Sequence, residues 1–327
     1  MNALVYLTLL FPLTAAPLAR VLTARADPRL ATWLMTAAAI VLAGTSCGAL
    51  GLLAMAAVVR LPFLAQLGHW SVPVVASGDS TGSGIALAAG ALFGAALLGM
   101  SAFAVRRARA LADAFRHARD LPGEDSLVVT GDVAPDAYTV PGRPGRIVVS
   151  TGMLEALDAR GRAALLAHER AHLTGRHYVF TTAARLAAAA NPLLRPLADG
   201  AEYSVERWAD EHAATTVGDR RLVAETIAYA AVATKAGGGS GRSVSIALGV
   251  VAGRLGIGAG KRGSSNAVSL SGAGAVPRRV AALLAPRPRG VVGLLIGMAL
   301  VAVAVICALS AADSLQDLLS LAHARSR

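Results

Sequence analysis

Charge is what this chain has least of. Only 16% of its 327 residues are charged against 55% that are hydrophobic, and the mean hydropathy is +0.56. Soluble domains carry roughly 25% charged residues, so a disordered tail, a fibrous repeat and an ordinary cytosolic enzyme are all excluded. Cysteine is nearly missing too. Cys47 and Cys307 are the two present, which excludes a disulfide scaffold and a cysteine-rich metal module, and both sit in apolar runs where a thiol acts as a small hydrophobe. Aromatics are sparse, with six Phe, five Tyr and three Trp, and no stacking motif or basic recognition helix accompanies them. The net charge of +11 therefore reads as the basic loops of a membrane protein, and no direct nucleic-acid binding is expected. No internal repeat recurs at a fixed period.

What the chain does have is long apolar runs. A hydrocarbon core about 30 Å thick needs about 20 apolar helical residues, and four stretches qualify, at about 2–18, 33–59, 84–105 and 290–309. All are rich in Ala and Gly, which suits close helix packing in lipid and is compatible with a homodimer. The first could instead be a secretory signal, but Met1-Asn2-Ala3 supplies no basic start for one. The loop after the first stretch and the segment 106–120 are net basic, whereas the 60–83 loop and the 311–327 tail are neutral. With four spans the two basic segments share a side, which is then cytoplasmic. The expected layout is a membrane region over 1–105, a cytoplasmic domain over 106–289, and a fourth span with a short external tail over 290–327. Arg106–Arg119 extends the third span as a basic, partly amphipathic helix suited to a solvated face or to anionic lipid.

From Ser126 the text changes. Ser126–Thr130, Ala137–Val140 and Arg146–Ser150 are short β-prone runs punctuated by Gly and Pro, and they predict a small antiparallel sheet. A helical pattern follows. From Gly237 to about Ala275 the chain is Gly-rich and irregular, with a short helix expected at Val280–Leu284. Tyr178–Leu197 is apolar enough to tempt a fifth span, but Arg185 and Asn191-Pro192 interrupt it. It reads as a helical hairpin buried in the domain or dipping into the membrane edge.

The chemistry lies in Leu166–His172, which contains His168-Glu169-x-x-His172 on a helix-forming background. Residues four apart share a helix face, so the two imidazoles can grip one ion. Glu169 beside them is placed to take a proton from an activated water. Two histidines and a glutamate in an apolar setting cost free energy unless something pairs with them. Catalytic zinc needs a third protein ligand and an open position. Downstream, Ala201–Thr215 offers Glu202, Glu206, Asp210, Glu211 and His212. Glu206 as ligand with Asp210 as acceptor for a ligand imidazole forms a coherent set, with Glu202 the rival ligand and His212 a candidate donor to the reaction intermediate.

These residues resemble a known family. His168-Glu169-x-x-His172, Asn191-Pro192 and Glu206-x-x-Ala209-Asp210, preceded by Ile147–Leu154, are similar to the BlaR/MecR-type membrane metallopeptidases of the antibiotic-sensor family. HExxH with ExxAD is also shared with HtpX-type and CAAX-processing peptidases. The resemblance implies a mainly α membrane protein carrying a cytoplasmic α+β, gluzincin-like domain with a small β-sheet. It implies one Zn2+ per chain on His168, His172 and Glu206, with Glu169 as general base, and a cytoplasmic protein substrate such as a transcriptional repressor in a signalling pathway. Sensor members carry a penicillin-binding domain after the last span. Here residues 311–327 follow it without a Ser-x-x-Lys nucleophile, so direct β-lactam sensing is not expected. The expected activity is zinc endopeptidase, with Arg146–Ser150 pairing an extended substrate. The alternative is a membrane scaffold with a structural or degenerate zinc site. A transporter would need charges inside its spans, and these have almost none.

Overall fold

The structure, a computed structural model, describes residues 3–58, 83–121, 126–236, 274–286 and scattered positions between 295 and 309. All of the 60–83 loop but Ser83, nearly all of the Gly-rich 237–275 segment, most of the fourth expected span and the tail lie outside the described residues.

The described part is mostly helical. Helix α1 (Ala3–Leu10), a 3-10 turn (Phe11–Thr14) and α2 (Ala15–Arg25) lead into α3 (Pro28–Val58) and α4 (Ser83–Asp120). Three helical stretches, Tyr6–Arg25, Pro28–Met55 and Gly84–Asp120, are long and apolar enough to cross a membrane. The first runs on to Arg25 rather than stopping near Leu18, because Leu22 and Ala26 are buried in a protein contact. Helices α3 and α4 run antiparallel, with Gly51 against Phe93 and Gly90 against Ala54.

Three short strands follow, β1 (Leu127–Thr130), β2 (Ala137–Val140) and β3 (Arg146–Ser150). The sheet is mixed, not antiparallel as expected: its order is β1-β3-β2, with β1 parallel and β2 antiparallel to β3. The segment between β1 and β2 carries the chain past β3's place, so β3 enters as the central strand. All five of its residues are buried. Alternation sends Ile147 and Val149 into a core with Met153, Leu157 and Leu165, and Val148 to the other face against Ala114 and Ala118 of α4. The basic end of α4 is thus a wall of the sheet as well as a solvated surface.

The remaining elements are α5 (Thr151–Ala156), α6 (Ala159–Thr174), α7 (His177–Ala190), a 3-10 turn (Pro192–Leu194), α8 (Arg195–Val217), α9 (Arg220–Ala236) and α10 (Ala275–Leu284). Helix α6 starts at an Asp158 cap, whose carboxylate accepts from the Gly161 N–H at 2.7 Å. The α7–α8 hairpin joins both halves of the molecule. Ala184, Ala187, Ala188 and Ala190 of α7, with Leu197, Ala198 and Ala201 of α8, share one core with Leu18 and Leu22 of α2 and Met35, Ala39 and Leu42 of α3.

Candidate metal centre

Helix α6 carries His168, Glu169 and His172, and α8 crosses it with Glu206. The His168 and His172 Nε2 atoms lie 3.1 Å apart. The Glu206 oxygens are 3.8 Å from His168 Nε2 and 3.7 Å from His172 Nε2. All three donor atoms fall within 4.8 Å of one another. A tetrahedron with metal–ligand bonds of 2.0–2.1 Å has edges of about 3.3 Å, so the spacing suits a single ion.

Helix geometry separates the two candidate glutamates. At 3.6 residues per turn, each step of four rotates by about 40°, so Glu202, Glu206 and Asp210 fan across α8 instead of stacking. Glu206 and Asp210 face α6. Glu202 faces α7, where Arg185 Nε and Nη2 donate to its oxygens at 2.7 and 2.5 Å, and Arg185 also pairs with Asp199 at 2.7 Å. The Glu202 carboxylate is held away from the histidines. Glu211 pairs with Arg220, and His212 is exposed.

Two further residues complete the cluster. Asp210 Oδ1 lies 3.0 Å from His168 Nδ1. Burial works against a charged His168 ring, but the bond and charge of Asp210 outweigh it and the pKa is raised. The second residue escaped sequence reasoning. His177, the first residue of α7, sets its Nδ1 3.0 Å from His172 Nδ1. If His172 keeps its Nε2 lone pair for a metal, its Nδ1 carries the proton and would donate to His177. Burial, with the charges of His168 and His212, lowers the His177 pKa to about 3, which keeps it a neutral acceptor. It gets there through a tight turn: Arg176 is left-handed at φ 47°, and a Cβ on Gly175 would come within 2.4 Å of the His177 ring. Only the absence of a side chain at 175 lets α7 fold back so closely. Trp208 packs on His177 at 4.5 Å between ring centroids.

Arg279 of α10 was also missed, because it lies 69 positions beyond Asp210 and stands beside Arg278, with no spacing that ties it to the motif. It is 3% exposed. Its Nε and Nη2 donate to Asp210 at 2.8 and 2.5 Å, and Nη1 lies 3.0 Å from Glu206 Oε2. Helix α10 spans Ala275–Leu284, longer than the expected Val280–Leu284, and the added turn is the one that carries this arginine.

Glu169 is 2% exposed. Thr139 of β2 donates to its Oε2 at 2.7 Å, and Oε1 is buried with no hydrogen-bond partner. Burial raises the Glu169 pKa, opposed by His168 and Thr139. Burial likewise pushes Glu206 up to about 7, against the pull of Arg279. With all three carboxylates ionised and both imidazoles neutral, as a bound cation would require, the single guanidinium of Arg279 would leave two negative charges for the cation to balance. His172 is held well below the usual imidazole range, first by burial and then by the neighbouring charges, which leaves it neutral and able to ligate. The residues fit a metal. Beside them lies a cavity of about 290 Å³ with Met153, Leu165, Val223, Ile227, Ala230 and Val276 in its walls.

Comparison with known proteins bears on this arrangement. Residues 104–264 match the family model described as Peptidase family M48. The match spans the end of α4, the sheet and the helices that carry both histidines and Glu206. It supports a membrane-type metallopeptidase, a metal-dependent class. No curated protein and no solved structure matches the chain.

Proposed function

We propose that the protein is a zinc-dependent endopeptidase that acts on a protein substrate at the membrane, with His168, His172 and Glu206 as metal ligands and Glu169 as general base. The observation that carries this reading is the convergence of two imidazoles and a carboxylate within 4.8 Å of one another, beside a glutamate whose second oxygen is buried with no hydrogen-bond partner. Two nitrogens and one oxygen leave a fourth position open, as in catalytic rather than structural zinc sites. When bound, the ion supplies the Lewis acidity that activates water and polarises a peptide carbonyl.

The chain's own groups supply the rest. Thr139 fixes Glu169 through Oε2 and leaves Oε1 to take the proton of the attacking water and return it to the leaving amine. Asp210 and His177 orient the two imidazoles from behind. The expected pairing of substrate with Arg146–Ser150 is corrected here: β3 is central, and both of its edges are already used. Among the described residues the edge strand beside α6 is β2, so Ala137–Val140 is the strand that would line an extended peptide at the site. The 290 Å³ cavity then takes one large apolar side chain. A repressor protein, as in the BlaR/MecR type, is the substrate kind that the resemblance suggests, with the domain facing the cytoplasm.

Metal content and cleavage together test this. Wild type should hold about one zinc per chain, Glu206→Ala little, and Glu169→Gln a full complement with cleavage down by at least about 100-fold. Undiminished proteolysis by Glu169→Gln would remove the general base from the scheme. Zinc retained by Glu206→Ala would remove the third ligand.

A further inference from the structure

The α7–α8 hairpin reaches far along the apolar helices. At its tip, Asn191 Nδ2 donates to Ser46 Oγ at 3.3 Å, deep within α3. On the other side α7 meets α4 so closely that a Cβ on Gly99 would lie 2.7 Å from the Ala189 carbonyl oxygen. Gly99 stands seven residues before Arg106, the charge that ends the apolar part of α4, which is about 10 Å along the helix. Nearer that level the hairpin turns polar: Arg107 Nε donates to Thr182 Oγ1 at 2.7 Å, and Arg185 pairs with Asp199 and Glu202. The charged belt and the apolar tip are thus ordered along the hairpin in the same sense as along α4.

Two independent features suit the tip to a medium without water. Leu193 is 49% exposed, and Leu97 and Leu98, next to the Gly99 that meets Ala189, are exposed apolar side chains as well. Backbone groups are the second feature. Irregular backbone at membrane depth must satisfy its hydrogen bonds internally. Here the Asn191 N–H goes to Ala187 O, Pro192 has none, and the Leu193 N–H goes to the Asn191 side chain. The Leu194 N–H goes to Asn191 O and the Arg195 N–H to Pro192 O. Every N–H of the turn is used without a water. Arg195, exposed just past the turn, has a side chain long enough to snorkel toward the headgroups.

We infer that the α7–α8 hairpin is a re-entrant element inserted about 10 Å into the bilayer beside α3 and α4, its tip covered by lipid acyl chains. The metal centre then lies just outside the charged belt, since Glu206 follows Asp199 by seven residues, or about 10 Å of helix. This holds whether or not the site cuts peptides.

Depth-resolved quenching tests it. In a background with Cys47→Ala and Cys307→Ala, single cysteines replace Leu193, Leu98 as the lipid-facing reference and Glu225 as the aqueous reference, since Glu225 is 64% exposed on α9. Each is labelled with bimane and reconstituted in phosphatidylcholine vesicles containing lipid spin-labelled on the acyl chain. Zinc binding by each variant checks the fold, and Arg195→Cys is a second tip probe should Leu193→Cys not assemble. Quenching at the tip within about twofold of that at Leu98, and severalfold above that at Glu225, is expected. Quenching at the Glu225 level would overturn the proposal. So would reaction of the tip cysteine with a membrane-impermeant maleimide, or a tip shielded from both reagents by a second protein copy.

Discussion

Toward its start, α8 buries Leu197, Ala198 and Ala201 against α2 and α3, in a contact made of small and branched apolar side chains. From its midpoint on, the same helix sets Glu206 and Asp210 among two histidines and Arg279. The first contact needs nothing but shape. The second needs a balance of charge, because ionised groups removed from water cost several kcal/mol each unless they are paired. One helix therefore ties a candidate metal centre to a membrane-type bundle, and each end is expected to tolerate disturbance of the other.

Arg279→Met is the most disruptive change to the charged end. It leaves Asp210 without its two-armed partner, and breaking a buried pair from one side costs about 3–5 kcal/mol. A bound divalent cation offsets part of the surplus negative charge, so thermal unfolding in detergent should show a smaller loss with zinc than without it. An equal loss in both would mean that the arginine and the metal do not share a charge balance. At the apolar end, Leu197→Ala should cost about 2 kcal/mol or more and leave zinc stoichiometry intact, as zinc titration alongside unfolding will show. A parallel fall in zinc affinity would deny the independence of the two ends.

A smaller effect is expected behind the ligands. His177→Ala removes the acceptor for His172 Nδ1, and losses of this kind weaken metal binding about 10–100-fold. Competition with a zinc chelator measures it, and His177→Gln should recover part of the loss through its side-chain oxygen. Unchanged affinity in both variants would reduce His177 to a packing partner of Trp208.

The legibility of the two ends in the sequence differed for a physical reason. His168, Glu169 and His172 are local: a four-residue step and an apolar helix are enough to set them on one face. Glu206 and Asp210 follow from the same step on a second helix, and what separated Glu206 from Glu202 was the tertiary position of Arg185. His177 and Arg279 carry no spacing signal. One depends on a left-handed turn at Arg176, the other on a helix that returns from beyond a long Gly-rich segment. The sheet was visible as three β-prone runs, but its order was not, because strand order is set by crossovers and not by composition. That one unread feature makes β2, not β3, the edge strand beside α6. Of the four apolar runs expected to span, three are helices long and apolar enough to cross a membrane and the fourth lies mostly outside the described residues, whereas the depth of the hairpin emerged only from Ser46 and Gly99.

The finest test concerns that depth. Ser46 Oγ donates to Leu42 O at 2.6 Å and accepts from Asn191 Nδ2, so one hydroxyl links the helix backbone of α3 to the hairpin tip. Hydrogen bonds between helices in a bilayer contribute about 0.6 kcal/mol on average, less than intuition about a water-free medium suggests, because groups separated on unfolding find other partners. A double-mutant cycle of Asn191→Ala and Ser46→Ala should therefore return a coupling of about 0.6 kcal/mol. Asn191→Ala alone should cost more than Ser46→Ala, since it also strips the acceptor from the Leu193 N–H, and in lipid that donor finds no water. Unfolding in bicelles measures both quantities. A coupling near zero would mean that the tip and α3 only touch, and that the depth of the hairpin rests on Leu193, Gly99 and the alanine contacts alone.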